Sequence, residues 1–411
     1  MVKTDAPRRA GKLPFPALLI TLCFFVLPAA ADTAPLMSVP EDPARHLHLP
    51  EGFEAALFAR LSPAGEAMFR GPRFMAFGPD GNLYISLGFD HKVVMLPVNN
   101  GHAGAMVLVA DGLNAPQGLV FVGDKLLVAN QDGVLRLEPD AGHWPAARAV
   151  PVITGLPAGG HALKSMKLGP DGYLYLNVGS SCNVCVESDP LRASLLRYSV
   201  EGRPLGAIPG LGRHPASPIW ASGLRNSQGF AWQPGTHALY ATNDGADQRA
   251  GQKGGMPNDE LPPEALNRIE AGQNYGWPHC WGAQVTDTDF AGPPQFCAAM
   301  TPPAITFAAH STPIGITFLD QSAFPAEYRG DALVALHGSW NRRQPAGYKV
   351  VRVHFEGGVP VSVSDFVTGW LDAGQAWGRP VDVVVGPDGA LYISDDRGGM
   401  IYRITYRGNF K

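Results

Sequence analysis

The chain has 411 residues, of which 45% are hydrophobic and 17% charged, and its formal net charge is −4. This apolar content excludes a disordered chain, and the absence of a Lys/Arg block gives no reason to expect nucleic acid or an anionic membrane surface as a partner. The 49 Gly and 38 Pro residues indicate many turns.

The N-terminal segment 1–31 has the pattern of a secretory signal. Basic residues precede an apolar run over Leu13–Leu27, and Ala29–Ala31 supplies the small residues of a cleavage site. The run is about 15 residues long and falls short of the roughly 20 that a spanning helix needs. We therefore predict a periplasmic or secreted protein with no stable membrane span after cleavage, exported by either the Sec or the twin-arginine route. An N-terminal extension over 32–50 and one domain over 51–411 complete the prediction.

One phrase recurs in the remaining chain. Its clear copies, each with the turn GPDG, are Met75–Ser86, Met166–Gly179 and Val383–Asp395, and its weaker copies are Leu119–Asn130, Phe230–Asp244 and Phe324–Gly338. Each copy joins a short apolar strand to an alternating strand through a turn whose Gly tolerates positive φ, which is typical of a β-hairpin. Hairpins that recur about every 45 to 90 residues indicate propeller blades. We predict an all-β, six-bladed β-propeller rather than a β-sandwich.

The ring must close and its loops must converge. A strand over Phe53–Leu61 is predicted to pair with the last strand, Met400–Tyr406, which hides both edges. Only Pro263–Ile269 hints at a helix. The polar loops that flank the hairpins are expected to face one channel mouth, and the arginines among them favour an anionic ligand such as a carboxylate or phosphate.

Four cysteines lie outside the signal: Cys182, Cys185, Cys280 and Cys297. An even number in an exported protein predicts disulfides. Three pairings are possible, and Cys182–Cys185 with Cys280–Cys297 is the most local. Haem attachment is excluded because Val186 follows Cys185, and the spacing of the second pair does not favour zinc.

Three phrases resemble the soluble PQQ-dependent sugar dehydrogenases of the glucose/sorbosone dehydrogenase family. They are GGH at 159–161, GLRNSQGFAW from Gly223, and NDE…NRIEAGQNYGWP ending at Pro278. The resemblance covers essentially the whole mature chain and is closest to the aldose sugar dehydrogenase branch. It implies PQQ and Ca²⁺ as cofactors, and hydride transfer to PQQ from the anomeric hydroxyl or aldehyde hydrate of an aldose-type sugar. Without a haem motif, electrons are expected to leave to a separate acceptor, a quinone or cytochrome.

The resemblance also assigns catalytic roles. His161 becomes the base that removes the hydroxyl proton, a task that suits a side chain with a pKa near neutrality. Arg225 stabilises negative charge on the reducing quinone, and Gln117 lies near the substrate hydroxyl. The glycines before His161 are expected to let sugar and cofactor approach the backbone.

Cofactor and metal ligands follow from the same resemblance. The expected cofactor-binding residues are Asn226, Trp340, Arg342 or Arg343 in place of a family lysine, Arg379, and Asp396 at the pocket rim. The carbonyl groups of Gly245 and Ala246 are expected to bind the calcium beside PQQ, and Asp259, Glu260 and the carbonyl group of Tyr275 a second calcium. For the charged members of these sets, a solvated turn or a surface salt bridge stays the alternative.

The chain departs from the family pattern at two residues and in the length of its loops. Ser180 stands where an aspartate orients the histidine, and a serine can position an imidazole but cannot stabilise its cation. Ala246 stands where the family has proline. The glucose-binding loops are also shortened, so the sugar stays open. The alternatives are a calcium-dependent propeller lactonase and a non-catalytic propeller that binds proteins or glycans.

Overall fold

The computed structural model describes residues 37–62, 70–140, 142–210 and 216–408. The predicted signal 1–31 and the start of the extension lie outside these ranges. The described residues form six four-stranded antiparallel sheets, and five of these use strands that follow one another along the chain. The first strands of neighbouring sheets lie against each other at five junctions around the ring. The six-bladed β-propeller prediction is confirmed.

The strands of each blade are given from first to last. The first blade comprises Met75–Phe77, Leu83–Leu87, Lys92–Leu96 and Val107–Ala110. The second comprises Leu119–Val122, Lys125–Asn130, Gly133–Asp140 and His143–Thr154. The third comprises Met166–Leu168, Leu174–Val178, Ser194–Tyr198 and Ile219–Ser222.

The other three blades follow in chain order. The fourth comprises Phe230–Trp232, Leu239–Asn243, Glu264–Ile269 and Ile305–Phe307. The fifth comprises Pro313–Phe318, Ala332–Leu336, Lys349–Glu356 and Val359–Val367. The sixth comprises Pro380–Val385, Leu391–Asp395, Met400–Tyr406 and the N-terminal strand Phe53–Arg60.

Short elements lie outside the blades. The two-residue ribbons are Val98–Asn99 with His102–Ala103, Cys280–Trp281 with Val285–Thr286, and Leu371–Asp372 with Gln375–Ala376. The helical pieces are the α-helix Phe296–Ala299 and the 3₁₀ turns Pro43–His46, Gly88–Asp90 and Ala326–Tyr328. No helix of the described residues has the length and apolarity needed to span a membrane.

The ring closes through its N-terminal strand, as predicted. Phe53 pairs with Tyr406 and Arg60 with Met400 in antiparallel register. The Phe53 ring packs edge-on against Phe324, with 4.8 Å between ring centroids. The six largest apolar clusters of the described residues each join two neighbouring blades. Burial between sheets thus holds every blade to the next.

The GPDG turns share one internal contact. In the first blade Asp80 accepts a hydrogen bond from the hydroxyl group of Tyr84 at 3.0 Å, and Asp171 does the same with Tyr175 at 2.9 Å. Gly81, like its equivalents in the other copies, has positive φ, here 75°. The repeated phrase therefore encodes a turn that fastens itself to the strand that follows.

Two details of the sequence analysis were wrong. The stretch Pro263–Ile269 is not helical, because Glu264–Ile269 is the third strand of the fourth blade and its side chains are almost all buried. In the fifth blade the phrase Phe324–Gly338 contains only the second strand. The first strand is Pro313–Phe318, and a 3₁₀ turn at Ala326–Tyr328 separates the two. Buried polar residues such as Glu264 obscured the alternation in one strand, and a continuous buried apolar run obscured it in the other.

The predicted disulfides are confirmed, and their connectivity is the most local of the three possible pairings. Cys182 is bonded to Cys185 and Cys280 to Cys297. The first bond lies just after the second strand of the third blade. Because the strands of a hairpin are antiparallel, the residues before a first strand and those after a second strand meet at the same end of the ring. That end carries the loops of His161 and Arg225.

Candidate active site

His161 lies in the loop that leads into the third blade. Its Nδ1 atom is 2.8 Å from Ser180 Oγ and 3.2 Å from the carbonyl oxygen of Ser180. Ser180 Oγ donates its proton to the carbonyl group of Cys182 at 2.7 Å, so it can only accept from the imidazole. Nδ1 therefore carries the ring proton and Nε2 keeps its lone pair, as a base requires. Burial and then the charge of Arg225 lower the pKa of His161 to about 4, so the ring is neutral at pH 7.

The glycines before His161 have different surroundings. Gly160 has a φ of 63°, and a Cβ there would lie 2.5 Å from the carbonyl oxygen of Ser180. Gly159 also has positive φ, but no atom lies within 4 Å of where its Cβ would be. Gly160 is thus required for close packing of one backbone on another, and only Gly159 leaves the open space expected of both.

Arg225 lies in the loop that leads into the fourth blade and is only 2% exposed. Its guanidinium group is 2.9 Å from an oxygen of Asp247 and 3.3 Å from one of Asp244. It also donates to the main-chain and side-chain oxygens of Asn183, at 3.2 and 3.0 Å. The carbonyl group of Arg225 accepts from the N–H of Ser180 at 2.8 Å. The imidazole and the guanidinium are therefore anchored to the same segment, 180–183.

Carboxylates surround the backbone of Gly245. Glu264 is 1% exposed and accepts a hydrogen bond from the N–H of Gly245. Burial and then the charge of Asp244 raise the pKa of Glu264 well above its usual range, and burial raises that of Asp244. Burial raises the pKa of Asp247 as well. A hydrogen bond with His310 and the charge of Arg225 have the larger combined effect, so the pKa of Asp247 is lowered overall. Asp247 is thus the carboxylate that stays charged most readily.

A second polar cluster lies where the first strands begin. Gln117 accepts from Arg73 Nε at 3.1 Å and donates to Gln228 at 3.0 Å. Arg73 forms a buried ion pair with Asp396, whose other oxygen is 2.9 Å from Nε2 of His337. Asp396 is 1% exposed. It therefore lies inside this cluster and not at the pocket rim, where the sequence analysis placed it.

The other arginines of the loops also contact protein atoms. Arg379 is 2% exposed and donates to the carbonyl groups of His337, at 3.1 Å, and Gly338. Trp340 follows in the same loop and is partly exposed. The next residue but one, Arg342, is buried and donates to the carbonyl group of Ala309 at 2.9 Å.

The residues expected to bind calcium fall into two groups. One cleft is lined by Gly245, Ala246 and Tyr275, and Arg225 lines it as well. Asp259 and Glu260 are not among its lining residues. Asp259 is instead paired with Arg343 and Glu260 with Arg342. The structure thus brings three of the five expected ligands together and places the other two against guanidinium groups.

Comparison with known proteins identifies the family. The TrAA12-like profile matches residues 64–407. The chain belongs to the TrAA12-like family. This family comprises AA12 oxidoreductases that depend on pyrroloquinoline quinone (PQQ). The resemblance found in the sequence is thereby confirmed, and the TrAA12-like protein is an oxidoreductase.

Relatives and solved structures agree with this assignment. The TrAA12-like protein is 25% identical to the aldose sugar dehydrogenase YliI of Escherichia coli (strain K12) over 296 residues, which are 70% of this chain and 71% of YliI. The holo PQQ domain of pyranose dehydrogenase from Coprinopsis cinerea superposes with a TM-score of 0.72 at 21% identity, covering 90% of this chain and 98% of that domain. A calcium structure of a Trichoderma reesei AA12 enzyme gives a TM-score of 0.73 at 19% identity, covering 90% and 100%. The two superpositions establish a shared fold.

Two buried amide oxygens of the TrAA12-like protein can accept from a hydroxyl or N–H donor of a ligand or contact a cation. Asn226 is 5% exposed, and among the described residues its Oδ1 has no hydrogen-bond partner. A Cβ at Gly179 would lie 3.2 Å from this oxygen and 2.5 Å from His161 Cβ, so the amide lies beside the imidazole. Asn341 also has a buried Oδ1 that no described group contacts, while its Nδ2 donates to Asp247 at 2.6 Å. Two amides with unused capacity lie close to a guanidinium and a neutral imidazole.

Four residues of the TrAA12-like protein escaped the sequence analysis: Arg73, Asn183, Glu264 and His310. Arg73 could have been found, because it precedes the first strand of its blade by the same two positions as Gln117 and Gln228. Asn183 lies between two cysteines, whose spacing indicates a disulfide and gives no sign of a role for the residue between them. Glu264 lies in the strand that was misassigned as helical. His310 has no signal in the sequence, because it contacts Asp247 only through the fold.

Proposed function

We propose that this chain is an exported, calcium- and PQQ-dependent dehydrogenase that oxidises the anomeric hydroxyl or aldehyde hydrate of aldose-type sugars. The observation that carries the proposal is the anchoring of His161 and Arg225 to one segment, with the Nδ1 proton of His161 held by Ser180. This arrangement provides a base and a fixed positive charge next to each other. The name of the relative YliI, an aldose sugar dehydrogenase, supports the substrate class.

Each residue of the site has a distinct role in the proposed reaction. When bound, PQQ supplies the two-electron acceptor for the hydride that leaves the sugar carbon. His161 Nε2 takes the hydroxyl proton, while the bond from Nδ1–H to Ser180 keeps the ring oriented. Arg225 places its charge where negative charge develops, and because it is buried and held from several sides, little reorganisation is needed. Gln117 lies in the cluster of first-strand residues, where it would contact the substrate hydroxyl.

The cofactor and metal ligands complete the proposal. The residues proposed to hold PQQ are Asn226, Trp340, Arg342, Arg343, Arg379 and Asp396. The carbonyl groups of Gly245 and Ala246 are hard oxygen ligands that suit Ca²⁺ beside the cofactor, with Tyr275 in the same cleft. Asp259 and Glu260 would join a second calcium only by leaving their arginine partners.

Export and electron transfer belong to the same proposal. The signal pattern of 1–31 and the two disulfides support an oxidising compartment, periplasmic or extracellular. Electrons would leave to a separate acceptor, a quinone or cytochrome.

The test is reconstitution of the mature chain with PQQ and Ca²⁺, followed by dye reduction with a panel of aldoses. We expect turnover, and a loss of about 10²- to 10⁴-fold in kcat for His161→Ala, with PQQ binding measured by absorbance titration nearly unchanged. His143→Ala, on the exposed last strand of the second blade, is the matched control. If His161→Ala lost cofactor binding and turnover together, the histidine would be structural. If no quinone bound and no aldose reduced the dye, the chain would be a non-catalytic propeller.

A further inference from the structure

The turn Cys182–Cys185 supports both the imidazole and the guanidinium of the site. Ser180 Oγ, which accepts from His161 Nδ1, donates to the carbonyl group of Cys182 at 2.7 Å. Asn183, between the two half-cystines, accepts from Arg225 through its main-chain oxygen at 3.2 Å and its side-chain oxygen at 3.0 Å. A displacement of this turn would therefore move both groups.

Asn183 also binds the opposite wall of the site. Its side-chain oxygen accepts from the N–H of Asp247 at 2.8 Å, and its Nδ2 donates to the carbonyl group of Asp247 at 2.9 Å. Its main-chain oxygen accepts from Nε1 of Trp277 at 3.0 Å. One amide residue thus joins the third blade to the loops of the fourth. Such a side chain fixes the direction in which Arg225 points.

The disulfide of this turn differs from the second one in loop length and exposure. Cys182 and Cys185 are three positions apart, whereas Cys280 and Cys297 are separated by 17. A bond that closes a short loop restrains the unfolded chain less, so its effect is mainly on local geometry. Cys182 and Cys185 are partly exposed, and the other two cysteines are buried. A reductant in solution therefore reaches the bond in the site first.

We propose that Asn183 is a positioning residue for Arg225, and that the Cys182–Cys185 bond is a redox-sensitive clamp that keeps Asn183 and Ser180 in place. Its effect on turnover rests on the function proposed above. A dithiol opens the clamp by thiol–disulfide exchange: the two sulfurs take up two electrons and two protons and become thiols, and the dithiol becomes a disulfide. The turn then loses its covalent restraint, and the hydrogen bonds to the guanidinium lengthen.

The kinetic test uses two double variants. Cys182→Ser with Cys185→Ser removes the clamp, and Cys280→Ser with Cys297→Ser is the matched control that keeps it. We expect dithiothreitol to lower kcat of the unaltered holoenzyme and of the control about 10-fold or more, with KM for the sugar changed less than about threefold, and reoxidation to restore it. The variant that lacks Cys182 and Cys185 should have a low kcat before any treatment, and dithiothreitol should not change it. A clamp-free variant with full turnover would overturn the proposal, as would a dithiol effect that follows the Cys280–Cys297 bond.

Trp277 gives a readout that needs neither cofactor nor substrate, because its indole N–H binds the carbonyl group of Asn183. In the apo-protein, reduction should shift the tryptophan emission, and the shift should be absent in Trp277→Phe. Asn183→Ala keeps the main-chain oxygen that Trp277 contacts, so it should leave the emission unshifted while it lowers kcat in the holoenzyme. An emission that stays constant while alkylation shows both thiols free would refute the clamp. The emission of the apo-protein tests the clamp even if no sugar is oxidised. Failure of the clamp and failure of the proposed function are therefore distinguishable.

Discussion

Ser180→Asp should make His161 a stronger base. The carboxylate would replace an oxygen that lies 2.8 Å from Nδ1. A unit charge about 4 Å from the imidazolium contributes about 4 kcal/mol at an effective dielectric constant of about 20, which corresponds to about 3 pKa units. The position is fully buried, so desolvation of the new carboxylate reduces the gain, and repulsion from the Cys182 carbonyl group reduces it further. We expect the pKa of His161 to rise about 2 units from its value of about 4.

The assay is the pH dependence of kcat/KM in the reconstituted enzyme. Its acid limb reports the base of the free enzyme, and for Ser180→Asp it should move to higher pH by about 2 units. Ser180→Asn, of the same size but uncharged, is the matched control and should leave the limb in place. Equal movement of the limb in both variants would show that volume and not charge sets it. No movement in either would mean that His161 is not the titrating base.

Three further predictions concern charge. Arg225→Lys should lower kcat about 100-fold in dye assays while PQQ still binds, because an ammonium group lacks the fork that binds both oxygens of Asn183; unchanged kcat would contradict the role. Asp396→Asn should lower the free energy of unfolding by about 3 to 5 kcal/mol in urea, since it strands a buried arginine; an unchanged midpoint would refute the pairing. Burial depresses the pKa of His161 and, with the charge of Arg379, that of His337 to about 4 from 6.5. Because the unfolded chain takes up these protons first, stability should be complete above about pH 6.5 and fall by up to about 3 kcal/mol per histidine toward pH 4, as urea unfolding at pH 5 and 7 would detect.

The fold could be predicted from the sequence because its repeats encode their own turns. Asp80 and Tyr84 form a contact whose partners are four positions apart, so the pattern is local and recurs in each clear copy. Of the weaker copies, Leu119–Asn130 and Phe230–Asp244 match the strands observed, and the boundaries failed only at Phe324–Gly338. The strand Pro313–Phe318 is buried along its length, which removes the alternation of polar and apolar residues. In Glu264–Ile269 the polar residues Glu264 and Asn267 are themselves buried, so polarity does not mark the exposed face.

The site was only partly predictable, for a different reason. The proximity of His161 to Ser180 follows from the antiparallel hairpin, and the disulfides follow from local spacing. The partners of the arginines cannot be predicted from the sequence, because several carboxylates at the same end of the ring could reach each guanidinium group. Arg342 and Asp396, both expected to bind the cofactor, also form ion pairs with Glu260 and Arg73 that the sequence did not indicate. Such pairings depend on which loops the blades bring together.

The negative charge that is missing behind the base is present elsewhere in the site. Asp247 is 2.9 Å from Arg225, and its effect on the pKa of His161 is smaller than that of burial or of the guanidinium. The carboxylate therefore fixes the positive group rather than strengthening the base. With an uncharged partner at Ser180, His161 gains little proton affinity, but its Nε2 lone pair is available over the whole range above about pH 5. Stabilisation of the transition state then depends mainly on the fixed guanidinium group of Arg225. We therefore expect kcat to depend more on the turn that holds Arg225 than on the pKa of His161.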